Sequence, residues 1–141
     1  MAGYRGHLAG GIILGVGLIY GLSKINLMPY FESTTSLLKY VGGCVFGALL
    51  PDIDHPKSML GSKLLPISEL LYSTVGHRTL THSILFSFVV GILITFLGQS
   101  SLGLGTFIGC ISHIMLDLLS FGNGVALLYP FYKKRIKIHW Y

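Results

Sequence analysis

Acidic residues are scarce in this chain. Its 141 residues include five Asp and Glu, and charged residues of both signs make up 11%, against roughly 25% in an ordinary soluble domain. A soluble domain would need more polar surface than this composition supplies. Hydrophobic residues make up 52% of the chain and the mean hydropathy is +0.70. The composition therefore predicts a membrane protein, with residues 1–141 as one domain.

Cysteine is also rare, with Cys44 and Cys110 lying in separate apolar segments rich in glycine. Their spacing excludes a disulfide framework or a cysteine-rich zinc knuckle, and we expect two buried, reduced packing residues. The short start, Met1 to Gly6, has one arginine and no clear cleavage site. We therefore expect the first apolar stretch to be a retained helix rather than a signal peptide.

Apolar runs dominate the remainder, at approximately 7–22, 37–50, 83–98 and 102–120. A helix needs about 20 apolar residues to span a bilayer. The runs predict an all-α membrane protein with about four transmembrane helices. The pattern near 66–75 predicts a short amphipathic helix on the membrane surface. Gly11 and Gly15 have the G-x-x-x-G spacing, which is typical of close helix packing in lipid.

The basic residues are unevenly distributed. Four of the ten follow the last apolar run: Lys133, Lys134, Arg135 and Lys137. This cluster is typical of a cytoplasmic anchor that faces anionic lipid headgroups. Nucleic-acid binding is not expected, since no other basic patch supports it. Four spans would place both termini and residues 51–82 on the same side, which holds most of the basic residues. The charge bias therefore predicts an inner-membrane, multi-pass protein with both termini cytoplasmic.

Three of the five acids lie in two short motifs that also contain histidine: PDIDHP at 51–56 and HIMLD at 113–117. A third motif, GHRTLTHS at 76–83, contains two more histidines. Ionisable groups are costly to bury in an apolar chain unless they pair or bind a cation. The predicted topology brings all three motifs, and the start of the first helix, to the cytoplasmic face. The candidate metal ligands are His7, Asp52, Asp54, His77, His82, His113 and Asp117.

His113 and Asp117 are four residues apart, which places them on one face of a helix. They can share one divalent metal, or form a hydrogen bond that stabilises helix packing. Asp52 and Asp54 lie between two prolines, and in an extended stretch they would point the same way and hold a cation between them. The alternative for this pair is helix capping and turn formation.

His77 and His82 are five residues apart, so one continuous helix would not align them. We expect them to lie in a loop and at a helix start, with Thr79 or Thr81 as the N-cap. His82 is the stronger ligand candidate. Arg78 either binds a phosphate through its bidentate donors or anchors the chain at the membrane surface.

Histidine and carboxylate ligands without a nearby thiolate suit Zn²⁺, Mn²⁺ or Fe²⁺ better than a cysteine-bound structural zinc. Two ions bridged by a carboxylate would activate water and stabilise a phosphoryl transition state. The residues therefore predict a hydrolytic centre that holds one or two divalent ions, with zinc favoured.

Three segments, LLPDIDHPKS, GHRTLTHS and SHIMLDLLS followed by GVALLYPF, resemble the YdjM-type family of membrane-bound metal-dependent hydrolases. The resemblance extends from His7 to Phe131. This family is similar to the helical zinc-dependent phospholipase C and single-strand nuclease superfamily. There, an N-terminal His, an Asp, a His and a final HxxxD hold a metal cluster.

By this resemblance His7 is the N-terminal His, and Asp117 is the acid that bridges ions. The first Asp is Asp52 or Asp54, the middle His is His77 or His82, and His113 opens HxxxD. The superfamily has further ligands downstream, where this chain has only His139, so one or two ions are expected rather than three.

The implied activity is hydrolysis of a phosphoester, with a lipid-linked phosphate or phospholipid favoured as substrate. Asp54, His77 and Arg78 are the expected catalytic residues. The alternative is a non-enzymatic membrane regulator, either a metal sensor or a protein-binding module.

Overall fold

The computed structural model describes residues 3–25, 31, 33–120 and 122–138. These residues form five α-helices: α1 (Tyr4–Lys24), α2 (Thr34–Leu49), α3 (Leu65–Thr74), α4 (Ile84–Phe96) and α5 (Ser100–Leu119). Short 3₁₀ helices lie at Leu50–Asp54 and Gly61–Lys63. Within the described ranges, β pairing is limited to one antiparallel bridge between Val125 and Ile136. The predicted all-α class is confirmed.

Three helical segments are long and apolar enough to cross a membrane: α1, α5, and α2 together with the 3₁₀ turn that follows it, Thr34–Asp54. The fourth apolar segment forms α4, which has 13 residues. At 1.5 Å per residue α4 is about 20 Å long, whereas the hydrocarbon core is roughly 30 Å thick. The described residues thus contain three candidate spans and one shorter apolar helix. The short helix expected near 66–75 is α3.

Helices α2 and α5 approach each other closely through glycine. Gly43 and Gly47 of α2 face α5, and Gly105 and Gly109 of α5 face α2. A Cβ atom at any of the four positions would overlap backbone atoms of the opposite helix. Both pairs have the G-x-x-x-G spacing, so the two backbones pack together without intervening side chains.

Helix α1 packs against both α2 and α5. Gly11 lies against Ala48, and Gly15 lies against Cys44. The Tyr40 hydroxyl donates a hydrogen bond of 3.1 Å to the Gly15 carbonyl. The predicted packing role of the Gly11–Gly15 spacing is therefore confirmed, and Cys44 and Cys110 are buried free thiols, as expected.

Candidate metal centre

The PDIDHP motif does not form the extended stretch expected from its two prolines. Leu50–Asp54 is a 3₁₀ helix with Pro51 in its first turn, where a missing N–H costs nothing. With three residues per turn, side chains two positions apart do not share a face. Asp52 therefore faces His113, with Oδ1 3.6 Å from Nε2, while Asp54 faces His77, with Oδ1 2.6 Å from Nδ1.

The GHRTLTHS motif lies just before α4, and its N-cap differs from the expected one. Ser83 caps α4, because its Oγ accepts a 3.1 Å hydrogen bond from the Phe86 N–H. The expected cap is Thr79 or Thr81, but the Thr81 hydroxyl donates to the Asp54 carboxylate instead. His82 thus lies in the turn that precedes the cap.

Asp54 organises this turn. It is fully buried, and it accepts hydrogen bonds from His77 Nδ1 at 2.6 Å, from the Arg78 N–H at 3.1 Å and from Thr81. Its Oδ2 lies 3.3 Å from His82 Nδ1. Both carboxylate oxygens thus face protein donors. Asp54 was predicted as a ligand and a catalytic residue, yet it belongs to none of the groupings of potential ligand atoms found among the described residues. Asp54 is therefore positioned to orient His77 and His82.

Potential ligand atoms of His82, His113 and Asp117 lie together, and Asp52 lies beside both histidines. His82 Nε2 lies 3.3 Å from Asp117 Oδ2 and 3.9 Å from Asp52 Oδ1. His113 Nε2 lies 3.7 Å from Asp117 Oδ2 and 3.6 Å from Asp52 Oδ1. Both His Nε2 atoms are buried and have no hydrogen-bond partner among the described residues.

The four His–carboxylate separations are close to those between ligands of a tetrahedral metal ion. Zinc bonds of about 2.0–2.1 Å to nitrogen and oxygen place tetrahedral ligand atoms roughly 3.3–3.4 Å apart. The measured His–carboxylate separations are 3.3 to 3.9 Å, slightly wider than that. Unpartnered buried nitrogens are costly, and a shared cation would satisfy both of them. The donor set is therefore suited to one divalent ion.

The outer nitrogens of both histidines are held by protein groups. His113 Nδ1 donates a 2.7 Å hydrogen bond to the Ala48 carbonyl. His82 Nδ1 lies between the Asp54 carboxylate and the Thr81 hydroxyl, at 3.3 and 3.1 Å. Histidines that bind metals commonly donate their second N–H in this way, which leaves the other nitrogen free as a ligand.

Charge at the centre is balanced through His82, which lies outside the spanning helices. Burial disfavours its protonated form, but the nearby carboxylates of Asp117 and Asp54 outweigh burial and raise the pKa of His82 to about 9. The protonated ring thus supplies, in the metal-free protein, positive charge that a bound cation would supply instead.

His7 belongs to the same cluster. It is 2% exposed, and its ring stacks on His113 with centroids 3.7 Å apart and planes at 11°. Its Nε2 lies 3.7 Å from Asp117 Oδ1. His7, Asp52 and His113 form a second possible ligand group, and Asp52, His77 and His82 form a third. The structure therefore brings all the sequence-predicted ligands to one end of the helices.

Arg78 is buried in the centre rather than exposed as a membrane anchor. It is 3% exposed, and its Nη2 donates a 2.7 Å hydrogen bond to Asp117 Oδ1. Its φ of +62° is in the left-handed region, which costs a non-glycine residue about 1–3 kcal/mol. Hydrogen bonds from its N–H to Asp54 and from the Ala126 N–H to its carbonyl hold this conformation.

Two cavities open beside the centre. The first has a volume of about 250 Å³, and its walls include His7, Asp52, Asp117, Lys57 and Tyr4. The second has a volume of about 610 Å³. His55, His77 and Arg78 line both cavities, so the two spaces adjoin.

Sequence reasoning did not assign Arg135 to the site. It was placed with Lys133, Lys134 and Lys137 as a lipid anchor, and all four side chains are exposed. Arg135 also donates a 3.0 Å hydrogen bond through Nη2 to the His77 carbonyl. The signal in the sequence was only a basic cluster, which does not distinguish one arginine from its neighbours. His139 lies outside the described residues.

Known proteins have similar sequences. The profile of the family described as YdjM inner membrane protein matches residues 1–141. The uncharacterized protein YvsG of Bacillus subtilis is 35% identical over 111 residues, covering 78% of this chain and 68% of YvsG. The inner membrane protein YdjM of Escherichia coli is 41% identical over 98 residues, covering 64% of this chain and 48% of YdjM.

The inner membrane protein YbcI of Escherichia coli is 32% identical over 102 residues, which cover 66% of this chain and 54% of YbcI. The chain therefore matches about half the length of the two Escherichia coli relatives. No solved structure matches it. Since the family profile covers the whole chain, this all-α membrane protein belongs to the YdjM inner membrane protein family.

Proposed function

We propose that the chain is a membrane-embedded, metal-dependent hydrolase of phosphoester bonds. The observation that carries the proposal is the group of ligand atoms from His82, His113 and Asp117, with Asp52 beside both histidines. The two histidine nitrogens are buried and have no partner among the described residues. Asp52, His82, His113 and Asp117 would hold the ion. A divalent ion there, zinc first, would supply Lewis-acid chemistry that lowers the pKa of water and neutralises phosphoryl oxygens.

One ion is favoured over two because Arg78 already neutralises one side of Asp117. Its guanidinium binds Asp117 Oδ1 at 2.7 Å, which is the oxygen that a second, bridged ion would need. A guanidinium beside the ion also suits the equatorial oxygens of a phosphoryl group in its transition state. Arg78 therefore takes the role that a second cation has in two-metal sites.

His77 is the proposed acid–base residue. Asp54 holds its Nδ1 at 2.6 Å, and the side chain is 16% exposed where both cavities meet. A histidine oriented by a carboxylate on one nitrogen can transfer a proton at the other. In this arrangement Asp54 positions the histidines and Arg78 positions the phosphoryl group. His77 Nε2 exchanges the proton.

The site is proposed to face the cytoplasm in a multi-pass arrangement within the inner membrane. The positive-inside bias supports this orientation, and relatives are named inner membrane proteins. A site at this end of the helices lies near headgroup depth, which favours a lipid-linked phosphate or a phospholipid as substrate.

The test is metal analysis of the purified chain, followed by a phosphoester hydrolysis screen. We expect about one zinc per chain, and we expect Asp117→Asn to lose it, because the amide leaves a ligand position without its charge. The matched control is Glu69→Gln, which makes the same chemical change at an exposed acid and should keep the metal.

If the purified wild-type chain contains no metal, the proposed metal-dependent activity is contradicted. A chain that binds metal but turns over no phosphoester, phospholipid or nucleotide would instead favour a metal-sensing or protein-binding regulator.

A further inference from the structure

The two adjoining cavities differ in charge. The first contains the carboxylates of Asp52 and Asp117, which suit a cation, together with Lys57 and Arg78. The second contains two arginines, and its described lining residues include no acid: His55, Tyr72, Gly76, His77, Arg78, Gly122, Asn123 and Arg135. A cleft lined by charge of one sign concentrates ions of the other. The second cavity therefore attracts an anion beside the cation centre.

Arg78 supplies a buried donor that lacks an acceptor. Its Nε is inaccessible and has no hydrogen-bond partner among the described residues. Its Nη1 packs against Gly122, where a Cβ atom would overlap the guanidinium, and its Nη2 binds Asp117. The guanidinium plane is thus fixed on two sides. The guanidinium lines the second cavity, so an anion there would lie beside its positive charge.

Arg135 supplies the second cationic wall. Its hydrogen bond to the His77 carbonyl fixes the side chain at the rim, and it uses one of the five N–H donors of the guanidinium. Arginine prefers phosphate and carboxylate because paired N–H groups match two of their oxygens. The remaining donors of Arg135 are therefore suited to an oxyanion in the cavity.

We propose that the second cavity binds a second phosphate group, so that the substrate class is a diphosphate. This inference rests on the proposed hydrolase. The cavities share His55, His77 and Arg78, so an anion in the second adjoins a phosphoryl group at the metal ligands. A diphosphate has two anionic centres joined by one bridging oxygen, which suits two adjoining sites.

Hydrolysis then proceeds with water as the co-reactant. The water oxygen bonds to the phosphorus beside the metal ligands, and the bond from that phosphorus to the bridging oxygen breaks. The departing phosphate keeps the bridging oxygen and remains in the second cavity, bound by Arg78 and Arg135. The proton that water loses passes to Nε2 of His77.

The test is calorimetric titration of inorganic diphosphate into the full, detergent-solubilised chain after removal of metal with a chelator. We expect one diphosphate per chain, bound at least about tenfold more tightly than orthophosphate, because diphosphate carries more negative charge and offers more oxygens to Arg78 and Arg135. We expect Arg135→Ala to weaken diphosphate binding about tenfold and Arg135→Lys to retain an intermediate affinity.

The matched control is Lys134→Ala, which removes one positive charge from the neighbouring exposed position, outside the cavity lining. It should leave the affinity within about twofold, since an exposed charge in salt acts weakly. Metal content should be unchanged in all three variants, which shows that the centre remains folded.

Equal affinity for diphosphate and orthophosphate, or equal losses in Arg135→Ala and Lys134→Ala, would overturn the inference. Failure of the proposed hydrolase would appear separately as absent metal, because the titration needs none. A parallel titration with geranyl diphosphate distinguishes a lipid diphosphate from a soluble one. Tighter binding of the prenyl form indicates a lipid diphosphate, equal binding indicates a soluble one, and both support the diphosphate class.

Discussion

At the scale of single residues, the centre depends on an acid that faces away from the ligand atoms. Asp54 is fully buried, and its two oxygens accept hydrogen bonds from a histidine, a backbone N–H and a threonine. It thereby sets which nitrogen of His77 and of His82 faces the centre. Outer residues of this kind orient metal ligands and raise their basicity.

Asp54→Asn tests this role. The amide keeps the shape of the side chain but presents an NH₂ group where donors now meet an oxygen, so His82 loses part of its alignment. Loss of an outer partner lowers metal affinity by about 10–100-fold, and we expect a decrease in that range, measured by competition with a coloured zinc chelator. Complete loss of metal, equal to that of Asp117→Asn, would identify Asp54 as a ligand instead.

Residue types and spacing were enough to predict which side chains meet. They were not enough to predict which of these side chains face the metal centre and which orient the others. Asp52 and Asp54 could not be distinguished from the sequence, because the choice depends on a 3₁₀ turn and on donors 23 to 27 residues away. The same contacts place His77 and His82 on either side of one carboxylate. The buried position of Arg78 depends likewise on Gly122 and Asp117, which are distant in the chain.

At the scale of helices, neighbouring glycines in α2 have opposite surroundings. Gly43 lies against the backbone of α5, whereas a Cβ atom at Gly42 would meet no atom within 4 Å. The sequence shows two adjacent glycines in an apolar run, and it does not indicate which of them faces a helix. The apolar runs predicted that the helices form. The faces through which the helices contact each other could be identified only from the structure.

Gly43→Ala and Gly42→Ala form a matched pair. The added methyl group at Gly43 forces α2 and α5 apart, and overpacking costs about 1–3 kcal/mol. At Gly42 the same change adds helix propensity worth up to about 1 kcal/mol. Unfolding in detergent with increasing SDS should therefore show Gly43→Ala destabilised and Gly42→Ala unchanged or stabilised. Equal effects would mean that the two helices do not pack through Gly43.

At the scale of the whole molecule, the ends of the helices differ in chemistry. The centre, both cavities and the basic segment lie at one end, and the turn between α4 and α5 lies at the other. The positive-inside bias predicts that the first end is cytoplasmic. The helices and their order were predictable from the apolar runs. The run expected at 83–98 forms a helix of 13 residues, because Ser83 is its N-cap and Phe96 its last helical residue.

Single cysteines test the orientation. We expect Ser62→Cys and Lys134→Cys to react with a membrane-impermeant maleimide in inverted vesicles but not in intact spheroplasts, and Ser100→Cys to show the reverse. All three positions are exposed. Cys44 and Cys110 are buried, so the unmodified chain serves as the control with low labelling. Labelling of Lys134→Cys in intact spheroplasts would contradict the predicted orientation.

Helix α4 has 13 residues and α5 has 20, so α5 is longer by about 10 Å. Beside its last turns, the hydrocarbon would meet the polar turn of residues 76–83 rather than an apolar helix. A bilayer adapts to such a mismatch by thinning locally and drawing water and headgroups inward. The bilayer would therefore be locally thinner around the protein. A lipid in this thinner region would bring its phosphate to Arg78 without leaving its leaflet, and a water molecule would reach the site without crossing hydrocarbon.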